Sequence, residues 1–414
     1  MNGVGGRVRI LLVHQNFPGQ FVHLAPALVA RGHEVVALTD AANKHPNTLR
    51  TMRYAFTPPR ADFASHGLAA TYYQMTERGR AAARAAVALR DQHGFSPDVI
   101  LGNLGWGETL FLREVWPEAR LLIYAEFFYR PRGLDVGFDP EFANGDLAQR
   151  MRVVARQAHL LQAMLPADAA LAPTRFQADS FPDFLRDRIT VIHDGVDTAR
   201  LRPDPAARFS LPGGRVLRAG DEVLTFINRN LEPYRGYHIF MRALPEVLEA
   251  RPDAQVVIVG GDGAGYGPKP PGGQSWKARF LAEVADRIDP ARVHFTGRVP
   301  HEQFVALMQV SRVHAYLTYP FVLSWSLLEA MSAGAHVIGS RTAPVAEVIR
   351  DGENGQLVDF FDVAGWAQAL TEGLAYPERF AAMRAAARET VVGGYDLRGQ
   401  CLPRLINFVE TAGR

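Results

Sequence analysis

Arg229 and Arg235 stand six residues apart in NRNLEPYRG (Asn228 to Gly236), on either side of a proline-containing turn that follows the apolar run EVLTFIN. Two guanidinium forks so placed can close on one anionic group, because each presents a fixed set of donors that matches paired oxygens. Further along, SWSLLEAMSAG (Ser324 to Gly334) opens on a capping residue type and ends on glycine, which predicts a helix with Ser324 as N-cap. The residues Val322 to Trp325 would then offer backbone N–H groups to a phosphate, while Glu329 places a carboxylate on the next turn. The apolar neighbours Leu327, Leu328, Ala330 and Met331 argue for a partly buried Glu329 rather than a surface helix acid. A diphosphate at the arginines and helix start, and a vicinal diol at Glu329, are together the parts of a sugar nucleotide.

Short apolar runs alternating with helical patterns supply the frame for these groups. They are RVRILLV (Arg7 to Val13), EVVAL (Glu34 to Leu38), DVIL (Asp98 to Leu101), RLLIYA (Arg120 to Ala125), AALA (Ala169 to Ala172) and TVIH (Thr190 to His193). A second series starts with EVLTFIN (Glu222 to Asn228). It continues through AQVVIVGG (Ala254 to Gly261), RVHFTG (Arg292 to Gly297), RVHAYL (Arg312 to Leu317), AHVIGS (Ala335 to Ser340) and GQLV (Gly355 to Val358). Each series predicts a doubly wound parallel sheet with helices on both faces. Between them, Asp197 to Glu222 is rich in proline and glycine and reads as a linker. The chain is therefore expected to form two α/β domains, 1–202 and 203–396. Ligands of such sheets sit beyond the carboxyl ends of the strands, so a cleft between two such edges is where chemistry is expected.

The two motifs and their surroundings resemble the C-terminal domain of retaining glycosyltransferases of family four, which have the GT-B fold of two Rossmann-like domains. Thr225 to Asp262, His294 to Pro320 and His336 to Asp359 look like successive blocks of that domain, and Val13 to Thr39 looks like the first strand, loop and helix of its N-terminal partner. The resemblance covers nearly the whole chain. It implies that Arg229, Arg235 and Gly236 match the basic pair and glycine that bind the diphosphate, that Glu329 matches the second Glu of a Glu-x7-Glu motif, and that a C-terminal helix over 397–414 crosses back onto the first domain. It also implies a nucleoside-diphosphate sugar as donor and retention of anomeric configuration, with the leaving phosphate taking the acceptor proton. One departure stands out: Phe321 occupies the place of the motif's first Glu, in a run Phe321, Val322, Leu323, Ser324 where the family has Glu-Gly-Phe-Gly. Either other groups handle the donor sugar, the reading we prefer, or the domain binds nucleotide or a partner protein without ordinary turnover. A sugar-nucleotide 2-epimerase or a glycoside phosphorylase would keep the same fold.

The resemblance assigns the acceptor to the first domain. Gly19, in NFPGQF, matches a glycine turn whose backbone approaches the donor phosphates, although Pro-Gly is also an ordinary turn. Asn103, Trp106 and Glu108 follow the DVIL strand and would line an acceptor pocket, with Trp106 either stacking on a sugar or packing in the turn. Glu126 follows the RLLIYA strand and would orient an acceptor hydroxyl or stabilise positive charge on the sugar ring; the alternative is an ion pair with Arg130 or Arg132. His14 and His193 read as loop or hinge residues. In the second domain Gly260 to Gly263 forms a ligand-facing loop, and Arg298 with Val299 fits the block that covers the nucleotide base, a solvent-facing salt bridge being the alternative for Arg298.

Composition narrows the classes. A chain of 414 residues with 48% hydrophobic and 21% charged residues is that of a globular protein too long for one core. A net charge of +2 gives no case for nucleic acid as a partner. All but three of the 45 basic residues are arginine, so Arg235 in place of the family's usual lysine fits a general bias. The single cysteine, Cys401, excludes an internal disulfide and a cysteine-based metal cluster, which points to the cytoplasm. No Asp-x-Asp pair is present, so no metal and no other cofactor is expected. No apolar run is long enough to span a membrane. The arginines of Thr76 to His93 leave weak peripheral contact with an anionic membrane open, a solvated helix face being preferred. The acceptor, whether glycan, lipid-linked, protein or small molecule, is not written in the sequence.

Overall fold

The computed structural model describes residues 6–59, 63–142, 145–263 and 265–412. Two units make up the chain, Met1–Asp194 with Arg398–Arg414, and Gly195–Leu397.

The first unit is built on a seven-stranded parallel sheet of order β3-β2-β1-β4-β5-β6-β7. Its strands are β1 (Arg9–Val13), β2 (Glu34–Asp40), β3 (Arg50–Tyr54), β4 (Val99–Asn103), β5 (Arg120–Tyr124), β6 (Ala169–Ala172) and β7 (Ile189–Val191). Along β1 the side chains alternate between two cores, Leu11 and Val13 on one face and Ile10 and Leu12 on the other. Burial on both faces is why the strand reads as an unbroken apolar run. The helices include α1 (Leu24–Ala30), α2 (Ala70–Asp91) and α3 (Leu147–Met164), and α2 turns Gly79, Ala82, Ala86 and Leu89 inward. Strand β3, RTMRY, has no counterpart in the sequence reading. It is an edge strand with only Tyr54 buried, and so carries charges where a central strand would carry valines.

The second unit begins with an antiparallel hairpin, β8 (Arg208–Ser210) and β9 (Val216–Arg218), inside the stretch expected to be a linker. Phe209, Leu211 and Leu217 bury themselves in the unit's core, so the polar turn between the strands hides a structured segment. The division between units accordingly falls after Asp194, upstream of the expected 202. A six-stranded parallel sheet follows: β10 (Val223–Asn230), β11 (Gln255–Gly261), β12 (Val293–Gly297), β13 (Val313–Tyr316), β14 (His336–Ser340) and β15 (Gln356–Val358), in the order β12-β11-β10-β13-β14-β15. Its helices include α4 (Tyr237–Ala250), α5 (His301–Val310), α6 (Trp325–Ala333) and α7 (Val363–Ala375). The chain then re-enters the first unit as α8 (Leu402–Thr411), whose Leu405, Phe408 and Val409 join the α1-side core. Glu410 on α8 accepts from Arg31 Nε at 2.8 Å and lies 2.8 Å from His33 Nε2. Among the described residues no helix is long and apolar enough to cross a membrane.

Both parallel sheets reverse their strand order beside their own first strand, between β1 and β4 and between β10 and β13. Such switch points open a crevice at the carboxyl ends of the strands. The candidate residues follow those strands or their neighbours.

Candidate functional site

In the second unit the chain leaves β10, makes a short turn over Pro233–Arg235 and enters α4 through Gly236. Gly236 has φ +66°, and a Cβ there would lie 2.2 Å from Leu317 Cβ, so only glycine lets this turn lie against the segment that follows β13. That approach carries Arg235 across the switch point. Its Nη1 donates to Thr318 Oγ1 at 2.8 Å and to the Val322 carbonyl at 2.9 Å. The side chain is 5% exposed, and among the described residues no carboxylate lies within ion-pair distance of it. Burial works against the charge, yet Tyr316, Tyr266 and Glu232 together hold its basicity above the ordinary value. Arg235 is therefore a buried cation with neutral hydrogen-bond partners.

Arg229 stays exposed near the end of β10 and makes no hydrogen bond or ion pair among the described residues. Arg298, after β12, is likewise exposed and unpaired, which disposes of the salt-bridge alternative; its Nε sits 3.6 Å from where a Cβ of Gly261 would be. Two unpaired guanidinium groups thus stand at the end of β10 and just after β12, on either side of β11 and its glycine loop. Val299 is half-buried and packs against the unit's core.

Ser324 occupies the N-cap position of α6 with φ −82° and ψ 146°, but its hydroxyl does not cap the helix. It lies 3.2 Å from the Ser326 hydroxyl, and the Ser324 N–H donates to the Tyr316 hydroxyl at 2.7 Å. The expected side-chain cap is therefore absent, and the first turn of α6 keeps its positive end for another partner. Trp325, first residue of the helix, is 36% exposed. Glu329 is half-buried between Leu328 and Ala330, and its carboxylate makes no hydrogen bond or ion pair among the described residues. Burial pushes its carboxyl up to about 7. Phe321 is 2% exposed and packs edge-on against Tyr234 and Tyr266, with ring centres 5.6 and 4.9 Å away.

In the first unit Glu126 follows β5 and is reached from both sides of the β1–β4 switch point. Asn103 Nδ2 donates to its Oε2 at 3.2 Å and Gln20 Nε2 approaches its Oε1 at 3.5 Å, while Gln177 Nε2 donates to its carbonyl at 2.6 Å. Arg130 is not its ion-pair partner, because that guanidinium is committed to the carbonyls of Ser180, Asp179 and Phe181 at 2.7, 2.9 and 2.8 Å. Asn103 also caps the short turn that carries Trp106, its Oδ1 accepting from the Gly105 N–H at 2.8 Å. Trp106 is half-buried with its Nε1 unpartnered among the described residues. Gly19 has φ +49°, and a Cβ would lie 2.5 Å from the His14 ring, so packing on His14 is reason enough for glycine at this position. Burial pushes His14 down to about 4, leaving the ring neutral at ordinary pH.

Glu108 corrects the sequence reading. It is wholly buried, accepts from the Tyr54 hydroxyl at 2.6 Å through Oε1, and leaves Oε2 without a partner among the described residues. Burial raises its carboxyl to about 7. Rather than lining a pocket, it faces the end of β3, the strand that had not been foreseen. Arg78 is also turned inward, bonded to Gln15, within 3.5 Å of Asp40, and stacked over Phe56 at 4.4 Å. With Arg90 bonded to the Val115 carbonyl and Arg80 to Glu77, the basic face of α2 that suggested membrane contact is largely spent on the protein itself.

Two parallel α/β units with these strand orders define a GT-B protein. Residues 31–201 match the family described as glycosyl transferase family 4 group and residues 214–390 the glycosyl transferases group 1, so each half of the chain is similar to a glycosyltransferase family. The D-inositol 3-phosphate glycosyltransferase of Streptomyces coelicolor is 27% identical over 273 residues, 61% of this chain and 57% of that protein. The chain thus spans little more than half the length of that curated relative. The sucrose-phosphate synthase of Thermosynechococcus elongatus superposes with a TM-score of 0.68 at 20% identity, covering 96% of this chain and 97% of that one. Anabaena Alr3699/HepE, solved in complex with UDP-glucose, gives 0.66 at 16% identity, covering 97% and 98%.

Proposed function

We propose that this protein transfers a sugar from a nucleoside-diphosphate sugar to an acceptor hydroxyl, with retention of anomeric configuration and without a metal. The observation that carries the reading is Arg235. It is 5% exposed, keeps its charge and meets only neutral hydrogen-bond partners, so an anion at the β10–β13 switch point would find a cation that no ion pair neutralises. Arg229 and the uncapped start of α6 add donors for the same diphosphate, and the unpartnered Glu329 carboxylate is suited to accept from both hydroxyls of a ribose. The UDP-glucose in Alr3699/HepE supports a nucleoside-diphosphate hexose as donor.

In the step itself the bond from C1 of the sugar to the diphosphate oxygen breaks and the electron pair leaves with the diphosphate. The acceptor oxygen bonds C1 on the same face, and its proton passes to the departing phosphate oxygen. Arg235, Arg229 and the α6 start stabilise the charge that develops on that diphosphate. Glu126, held by Asn103, is the first unit's carboxylate for orienting the acceptor. Release of nucleoside diphosphate from a panel of sugar nucleotides, with and without polyol and glycan acceptors, tests the proposal, and the anomeric proton coupling of the product tests retention. Nucleotide binding with no release under any acceptor would support a binding protein instead, the reading that the buried Phe321 favours. Conversion of a sugar nucleotide without any acceptor would support an epimerase.

A further inference from the structure

Glu232 lies three residues before Arg235 and has no exposed surface. Its Oε2 accepts the backbone N–H groups of Gly265, Tyr266 and Gly267 at 3.1, 3.1 and 3.3 Å. Three successive N–H groups converging on one charged oxygen fix the path of the 265–267 backbone. Trp276 Nε1 adds a bond to the Pro268 carbonyl at 2.9 Å. The clamp sets the position of Tyr266. That ring lies 4.9 Å from Phe321 and 6.3 Å from Tyr234, and the Arg235 guanidinium stands 5.2 Å from its centre. From the other side Thr318 and the Val322 carbonyl hold Nη1 of the same guanidinium, using two of its five donors. Arg235 is thus confined between an aromatic face and two fixed acceptors.

We propose that Glu232 and Tyr266 are positioning residues that preset Arg235 for the diphosphate. Glu232 anchors the 265–267 backbone, Tyr266 stacks on the guanidinium, and Phe321 backs the Tyr266 ring. An aromatic side chain at 321 therefore has a role in which it never touches the sugar. A cation already held in one place loses no freedom when the anion arrives, which strengthens binding without adding a contact. The inference rests on the nucleoside-diphosphate reading of Arg235 given above.

Titration calorimetry of the full chain with UDP and GDP, and separately with uridine and guanosine, tests it. Tyr266→Ala is expected to weaken the better diphosphate about tenfold while leaving the matching nucleoside unchanged, and Tyr266→Phe to stay within about twofold of wild type. Tyr266→Leu, which keeps apolar bulk but has no ring, should behave as alanine. Glu232→Ala should match Tyr266→Ala, whereas Glu232→Gln, whose amide oxygen still accepts the three N–H groups, should retain most of the affinity. Parallel loss of nucleoside and diphosphate in Tyr266→Ala would overturn the proposal by showing a contact with the base or a damaged unit. Wild-type affinity in Glu232→Ala would overturn the anchoring role. Wild-type binding of the nucleoside with no gain from its diphosphate would instead remove the reading of Arg235 on which the proposal stands.

Discussion

Arg235 and Glu329 are buried or half-buried groups of opposite charge that make no ion pair among the described residues. Charged groups that are buried yet enter no ion pair are expected where a ligand completes them. Arg235→Met should therefore leave the ligand-free melting midpoint unchanged or raised while abolishing the shift given by a nucleoside diphosphate, as calorimetric melts would show. Glu329 makes a pH-dependent prediction. Its carboxyl titrates near 7 when folded against an ordinary 4.5, so between these values the folded chain holds a proton that the unfolded chain has lost. The stabilisation this gives is complete below pH 4.5 and lost as pH rises through 7. Glu329→Gln should accordingly be more stable than wild type at pH 8, by on the order of 1 kcal/mol after allowing for partial exposure, and should lose that advantage at pH 5. A ribose diol donates to the charged carboxylate, so nucleotide affinity should weaken from pH 8 to pH 6 in the wild type and stay flat in Glu329→Gln. At this scale the sequence shows which side chains have the chemistry, because spacing and residue type are written in it. It shows burial where apolar neighbours crowd a helix, as at Glu329, and not where distant elements close over a loop: Glu108, read as lining a pocket, is sealed against Tyr54, and Arg235 proved to be the buried member of its pair.

The elements place these residues through a few close contacts. Gly236 is one: alanine there would meet both a positive φ and the Leu317 side chain, so Gly236→Ala should destabilise the second unit by roughly 3 kcal/mol or more and weaken nucleotide binding with it, as denaturant melts and titrations would show. The α8–α1 contact is another. Burial opposes the charge on Glu410, but hydrogen bonds from His33 and Arg31 hold its carboxyl below the ordinary value. The contribution is present above the ordinary carboxyl value and lost as pH falls through the lower folded one. Glu410→Ala should thus cost the first unit about 1–2 kcal/mol at pH 7, a difference that shrinks in acid. Strands buried on both faces, such as β1 and β11, were legible because their apolar runs are continuous. Strand β3 and the β8–β9 hairpin were not, since an edge strand and a small hairpin bury one or two side chains each and look like loop. The α6 cap was misread for a different reason: the Tyr316 hydroxyl binds the Ser324 N–H and the Ser324 hydroxyl lies against Ser326, a choice made by tertiary neighbours.

As a whole the chain carries two Rossmann-like sheets, each with polar candidate side chains at or near the carboxyl ends of its strands, and both halves match glycosyltransferase families. The doubled α/β pattern was visible in the sequence, but the division between units was not, because the hairpin that opens the second unit has the composition of a linker. The central claim is that the second unit binds a nucleoside diphosphate through Arg235 and Glu329. Thermal unfolding of the wild type and of Glu329→Ala against UDP, GDP, ADP, CDP and dTDP tests it most directly. A ligand at about one hundred times its dissociation constant adds roughly 2.7 kcal/mol of stability, enough to raise the midpoint by on the order of 5 °C. One nucleotide giving such a shift in the wild type and none in the mutant is the predicted result; no shift with any of the five, or an equal shift in the mutant, would contradict the account.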